Sequence, residues 1–161
     1  MTKQELYLQV AQDQNREQDN RNRDFHTKAS WTFSGSAVLV GIGAVVAKDI
    51  KIQNISGPDL VAIVAAIVLA VGFFLIAAYT LKAIRPREWK RSPGLNELAD
   101  HINVPDRDDG VAVKWVADAY RSAVKFNEDV LESKAANITS ALWCLAIQVV
   151  AISVLTGTRW F

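Results

Sequence analysis

Between Asp59 and Lys82 the chain carries an unbroken uncharged run, Leu60 to Leu81, built almost entirely of Ala, Val, Ile, Leu and Phe. At about 1.5 Å of rise per residue, these 22 positions make a helix of roughly 33 Å, which matches a bilayer hydrocarbon core of about 30 Å. An apolar helix buried in a soluble protein is shorter, roughly 10 to 14 residues. Two more charge-free runs flank it, Ala29 to Ala47 between Lys28 and Lys48, and Ala135 to Thr158 between Lys134 and Arg159. The pattern predicts three membrane-spanning helices, at 29–47, 60–81 and 135–156. Ser30, Thr32, Ser34, Gly35 and Ser36 dilute the leading half of the first.

The segments between the spans also read as helical. Glu17 with Arg21, Asp19 with Arg23, and Asp24 with Lys28 place an acid four residues before a base, the favourable order on a helix. One helix is therefore expected to run into the first span. Its Gln12 to Asp24 portion is polar on every side and reads as a solvated face. After the second span Pro86 ends the helix, Ser92 and Pro93 open a short one through Ile102, and Val104 to Gly110 is a turn. Beyond it, Trp115, Val116, Ala119, Tyr120, Ala123, Val124, Phe126, Val130 and Leu131 share one helical face. Lys114, Asp118, Arg121, Lys125, Glu128 and Glu132 lie opposite. Neither Pro nor Gly separates this amphipathic stretch from the third span, so a single helix is expected from about Val111 to Thr156, roughly 70 Å long. The fold class is an all-α membrane protein with three transmembrane helices, a helical cytoplasmic region and a last helix that continues into the membrane.

Composition hides this architecture, since 22% of residues are charged and the mean hydropathy is only +0.10. The charge is segregated. Five Lys or Arg precede the first span, two lie in 48–59, ten in 82–134 and one in the tail, which groups as 15 against 3. The positive-inside rule then puts 1–28 and 82–134 in the cytoplasm, and 48–59 and 157–161 outside. Acidic residues follow the same division, so the cytoplasmic part is nearly neutral and no nucleic-acid partner is expected. The first 28 residues are polar with mixed charge and do not resemble a cleaved signal. Cys144 is the single cysteine, which excludes a disulfide framework or a cysteine zinc site. His26 and His101 sit in no metal or nucleophile motif, there is no glycine-rich phosphate loop, and the turn at 105–110 lacks the ligand order of a calcium loop. The chain reads as non-enzymatic, without metal or cofactor.

Two groups of residues remain as candidates for function. Arg85, Arg87, Trp89, Lys90 and Arg91 follow the second span. Basic side chains with a Trp make a membrane-interface anchor, and the sharper alternative is an anion site for a phosphate-bearing ligand with Trp89 stacked on a base. Asn127, Lys134, Asn137 and Gln148 are polar positions along the last helix. An amide in lipid needs a partner, and joining helices to one another is favoured over lining a pore. Ala62, Ala66 and Ala70 in the second span, and Ala37 with Gly41 in the first, form small-residue stripes that allow close helix approach. Three spans make a thin bundle, and self-association into a homo-oligomer is expected.

The segment Asp24-Phe25-His26-Thr27-Lys28-Ala29-Ser30, leading into Phe33-Ser34-Gly35-Ser36, resembles the Asp-x-x-x-Lys-Ala approach to the first membrane helix of bacterial antiphage transmembrane effectors, the Pycsar effectors and SLATT-type proteins. Ala119-Tyr120-Arg121 through Asn127 and Lys134 is similar to their closing helix. The odd number of spans departs from many of them. The resemblance implies a bacterial inner-membrane protein whose cytoplasmic region senses a cyclic pyrimidine nucleotide, cyclic CMP or cyclic UMP, made by a partner cyclase. Its membrane part would then assemble and impair the bilayer. The competing class is an accessory membrane protein that binds a partner through the amphipathic helix.

Overall fold

A computed structural model describes residues 3–48, 57–85 and 109–160. Among them the chain forms three helices, α1 (Lys3–Ala47), α2 (Gly57–Ile84) and α3 (Asp109–Trp160). Each is long and apolar enough to cross a membrane. Pro58 and Asp59 occupy the first turn of α2, where a missing N–H costs nothing and a carboxylate meets the positive end of the helix dipole. The helix stops at Ile84, because Pro86 disfavours helical geometry in the residue before it. α3 does not end at Thr156 as expected: Gly157 stays helical and the helix reaches Trp160.

The chain divides into two compact units. The first holds α1 as far as Asp24 and α3 as far as Ser133; the second holds the remainder of α1 and α3 together with α2. In the first unit, Ala11 and Gln18 of α1 are buried, and so are Ala117, Ala123, Asn127, Val130 and Leu131 of α3. Gln18 Nε2 donates to the carbonyl of Val124 at 2.8 Å, and Tyr7 Oη donates to Asp118 Oδ1 at 3.2 Å. The polar stretch 12–24 is therefore not solvated all round. Its inner face, Asn15, Gln18 and Asn22, continues the three-and-four spacing that begins at Ala11, which aligns these residues along one side of the helix, where they are buried or half-buried. Its outer face is wet, with Arg21 Nη2 and Glu17 Oε1 paired at 2.6 Å. On α3 the charged residues of the amphipathic pattern are exposed, but Phe126 is 37% exposed while the neighbouring Asn127 is fully buried.

Asn15 Oδ1 and Gln18 Oε1 are buried acceptors that have no hydrogen-bond partner among the described residues. An apolar side chain of similar shape removes such an orphan, whereas truncation leaves a void. Gln18→Leu is thus expected to hold or slightly raise stability, and Gln18→Ala to lower it by about 1 to 2 kcal/mol. Paired thermal melts followed by circular dichroism check this; equal losses for the two variants would refute the packed seam.

In the second unit α2 runs antiparallel to α1 and α3. Ala62, Ala65 and Leu69 pack with Ala151, Ile152 and Leu155 and with Leu39 and Val46 near one end, while Ala83 packs with Ala29 and Ile138 near the other. The buried face of α2 runs through Ala62, Ala65, Leu69, Gly72, Ile76, Thr80 and Ala83. Within one chain the small-residue stripes are used only in part: Ala62 is buried, but Ala66 is half-buried and Ala70 exposed, and Ala37 and Gly41 of α1 are both exposed. The close approaches are made instead by Gly43 and Gly72. A Cβ on Gly43 would come 2.7 Å from Leu69 Cδ1, and one on Gly72 would come 2.9 Å from Gln148 Cγ.

Candidate functional site

α3 carries its buried positions in a regular three-and-four alternation. In the second unit these are Lys134, Ile138, Ala141, Gln148, Ile152 and Leu155, with the half-buried Leu145 completing the alternation and Ala151 buried beside it. The facing seam of α1 is Phe25, Ala29, Thr32, Ser36, Leu39 and Gly43. Polar groups are rare on these faces, and they meet at one place. Ser36 Oγ donates to Gln148 Oε1 at 2.7 Å, and Gln148 Nε2 donates to the Leu69 carbonyl at 2.7 Å. A single fully buried amide thereby ties all three helices. Gly72 leaves the room that the glutamine stem occupies. The other hydroxyls behave differently: those of Thr32, Thr80, Ser140, Ser153 and Thr156 donate back to carbonyls of their own helix. Such bonds satisfy the group locally and tie nothing together.

The expected site residues fall into three places. Gln148 lies in this node. Asn127 is fully buried in the first unit and hydrogen-bonded or otherwise paired, and Lys134 is buried at the start of the second unit's α3 seam, also engaged. Asn137 is half-buried on α3 and engaged as well. The node therefore does not bring these four together. Arg85 closes α2 with its side chain exposed, while Arg87, Trp89, Lys90 and Arg91 lie outside the described residues. Sequence reasoning missed Ser36 as the partner of Gln148, and also Gly72. The available signal was the seven-residue spacing of Asn127, Lys134, Ala141 and Gln148, which puts three polar residues at one repeat position of α3.

Outside the seam, the second unit is coated with apolar side chains. Among the described residues, nineteen of the 23 exposed large hydrophobic side chains belong to it and four to the first unit. The most exposed aromatic side chains among the described residues are one per helix: Trp31 at 76%, Phe74 at 72% and Trp143 at 70%. Trp31 and Trp143 each precede their node residue by five positions, and Phe74 follows Leu69 by five on the antiparallel helix. All three therefore stand on one side of the node, about 7.5 Å along their helices. Trp and Tyr favour the membrane boundary, where an apolar ring can keep one polar edge wet.

Troughs in this coat, among the described residues, include three between helices. Two lie between α2 and α3, one of about 400 Å³ lined by Val61, Val64, Val68, Ile147 and Val154, and one of about 250 Å³ that includes Gly72 and Cys144. The third lies between α1 and α2, at about 380 Å³. Among the described residues no group of three or more His, Cys, Asp or Glu side chains converges to hold a metal ion. Comparison of the chain with protein-family models, with curated proteins and with solved structures gives no match.

Proposed function

We propose that this chain is an integral membrane protein that acts as the effector of a bacterial antiphage signalling system. Its first unit lies in the cytoplasm and answers a cyclic pyrimidine nucleotide from a partner cyclase, and its second unit self-assembles in the inner membrane and impairs the bilayer. The observation that carries the membrane reading is the inverted surface of the second unit. Large apolar side chains face outward and the bundle's interhelical polar bonds are inside, an arrangement stable in lipid and costly in water. The orientation rests on the excess of Lys and Arg in 1–28 and 82–134, and the signalling role on the resemblance of 24–36 and 119–134 to antiphage effectors.

Assembly driven by a ligand requires that the ligand bind the assembled state more tightly than the resting one. The basic group Arg85, Arg87, Trp89, Lys90 and Arg91 is the proposed anion contact, and Asn127, Lys134, Asn137 and Gln148 are the proposed coupling positions. The accessory-protein alternative needs a free apolar face on the amphipathic part of α3. Of that face, Ala123, Val130 and Leu131 are buried within the first unit, Trp115, Val116, Ala119, Tyr120 and Val124 are half-buried, and Phe126 is exposed. Purified protein in dye-loaded liposomes is expected to release dye when cyclic CMP or cyclic UMP is added. Liposomes that stay sealed at saturating nucleotide and high protein density would overturn the effector reading.

A further inference from the structure

The trough between α1 and α2 differs from its two neighbours in what surrounds it. Its lining is apolar along Ala29, Phe33, Ala77, Leu81 and Ile84, but Ser30 and Ser34 place hydroxyls on its edge. Neither hydroxyl makes a hydrogen bond among the described residues, in contrast to the threonines and serines that bond back to their own helices. Cations gather at one end. Ala29 and Ile84 lie together there, where α1 leads back to Lys28 and α2 leads on to Arg85.

Arg85 falls four residues after Leu81 and so continues the trough-lining face of α2. It is exposed and has no ion-pair partner among the described residues. Lys82, also exposed, holds its Nζ 6.0 Å from the centre of the Tyr79 ring. No Asp or Glu occurs between Lys28 and Ala47 on α1, nor between Leu60 and Arg85 on α2; the nearest acidic residues in sequence are Asp24, four positions before Lys28, and Glu88, three after Arg85. An occupant that suits the whole site has an apolar tail and an anionic head.

We propose that this trough is a binding site for one anionic phospholipid. An acyl chain lies along Phe33, Ala77 and Leu81, and the phosphate accepts from the Ser30 and Ser34 hydroxyls and from the Arg85 guanidinium, which is thereby given to the lipid and leaves the nucleotide contact to the rest of the basic group. The volume of about 380 Å³ is within the range of sites that select a small molecule. A guanidinium fits a phosphate through two parallel N–H donors, a geometry that a lysine cannot reproduce. None of the three troughs has a charged residue in its lining; this one is set apart by its hydroxyls and by Arg85, one turn beyond Leu81.

The proposal rests on the membrane reading, and the two fail differently. Protein released from membranes by alkaline carbonate would sink the membrane reading itself. For the lipid site, the full chain in mild detergent is titrated with dioleoyl phosphatidylglycerol or dioleoyl phosphatidylcholine and followed by native mass spectrometry. The phosphatidylglycerol adduct is expected to form about fivefold more tightly, the effect of one basic side chain on an anionic headgroup, and Arg85→Ala should abolish the difference. Filling the trough by Ala77→Leu, or by Ser34→Leu should the first variant fail to fold, is expected to weaken both lipids, while Val154→Leu in a neighbouring trough leaves the preference intact. Equal affinity for the two lipids in the unaltered protein, or a preference that survives Arg85→Ala, would overturn the assignment.

Discussion

Leucine in place of Gly72 is expected to destabilise the second unit by about 2 to 4 kcal/mol, more than any other single substitution along the polar node. A Cβ at this position stands 2.9 Å from Gln148 Cγ, 3.3 Å from its Cδ and 3.2 Å from its Nε2. Gln148 is fully buried and cannot swing into solvent, so the new side chain must push the amide off its two partners. Overpacking of this kind costs about 1 to 3 kcal/mol, and each interhelical hydrogen bond lost in a membrane bundle adds roughly 0.6 to 1.7. Gly41→Leu is the matching control, because nothing lies within 4 Å of a Cβ there and the position faces outward; a change within about 0.5 kcal/mol is expected. Unfolding in mixed micelles, followed by loss of helical circular dichroism, measures both. Adding Gln148→Ala to Gly72→Leu should recover part of the loss by emptying the space in dispute. Equal behaviour of the Gly72 and Gly41 variants would show that the helices do not meet at Gly72.

Gln148→Leu is expected to cost about 1 to 2 kcal/mol, less than the volume of lost contact suggests. The replacement is close in size and leaves no cavity. It also strands little, since the Leu69 carbonyl keeps its place in the helical hydrogen-bond ladder and the Ser36 hydroxyl can turn to a carbonyl of α1, as Thr32 does to Lys28 at 2.8 Å. What disappears is the specific tie between three helices. The double-mutant cycle of Gln148→Leu with Ser36→Ala isolates one part of it, with a coupling of roughly 0.6 to 1.7 kcal/mol expected. Additivity of the two losses would mean that Ser36 and Gln148 do not bond to each other. Polar residues in an otherwise apolar seam are best attested as devices that set register, and the node is placed to do this for α1 and α3 at once.

How far sequence reading reaches is visible in particular residues. Ala62, Ala66 and Ala70 look like a packing stripe, yet within one chain the burial falls on Ala62, Ala65 and Leu69. In an apolar span both the lipid-facing and the helix-facing sides are hydrophobic, so hydropathy does not distinguish them and small residues occur on either. The inner face of α1 was unreadable for the opposite reason. Asn15, Gln18 and Asn22 give no apolar signal, and only their three-and-four spacing, continued by Phe25, Ala29, Thr32 and Ser36, marks the side that packs.

By itself the sequence determined that three segments are long and apolar enough to cross a bilayer and that α3 runs unbroken from its charged part into its apolar part. Both follow from properties local to the chain, namely the exclusion of charge over some twenty residues and the absence of Pro or Gly where a helix would break. Tertiary structure alone decided which face of each helix is inward, that Ser36 and the Leu69 carbonyl complete the hydrogen bonds of Gln148, and that Gly72 rather than Ala66 or Ala70 admits the close approach. Those outcomes depend on how helices far apart in sequence are phased against one another, with Ser36 and Gln148 separated by 112 positions. No local pattern carries that phase; it is set when three helices bury their few polar groups in a common interior.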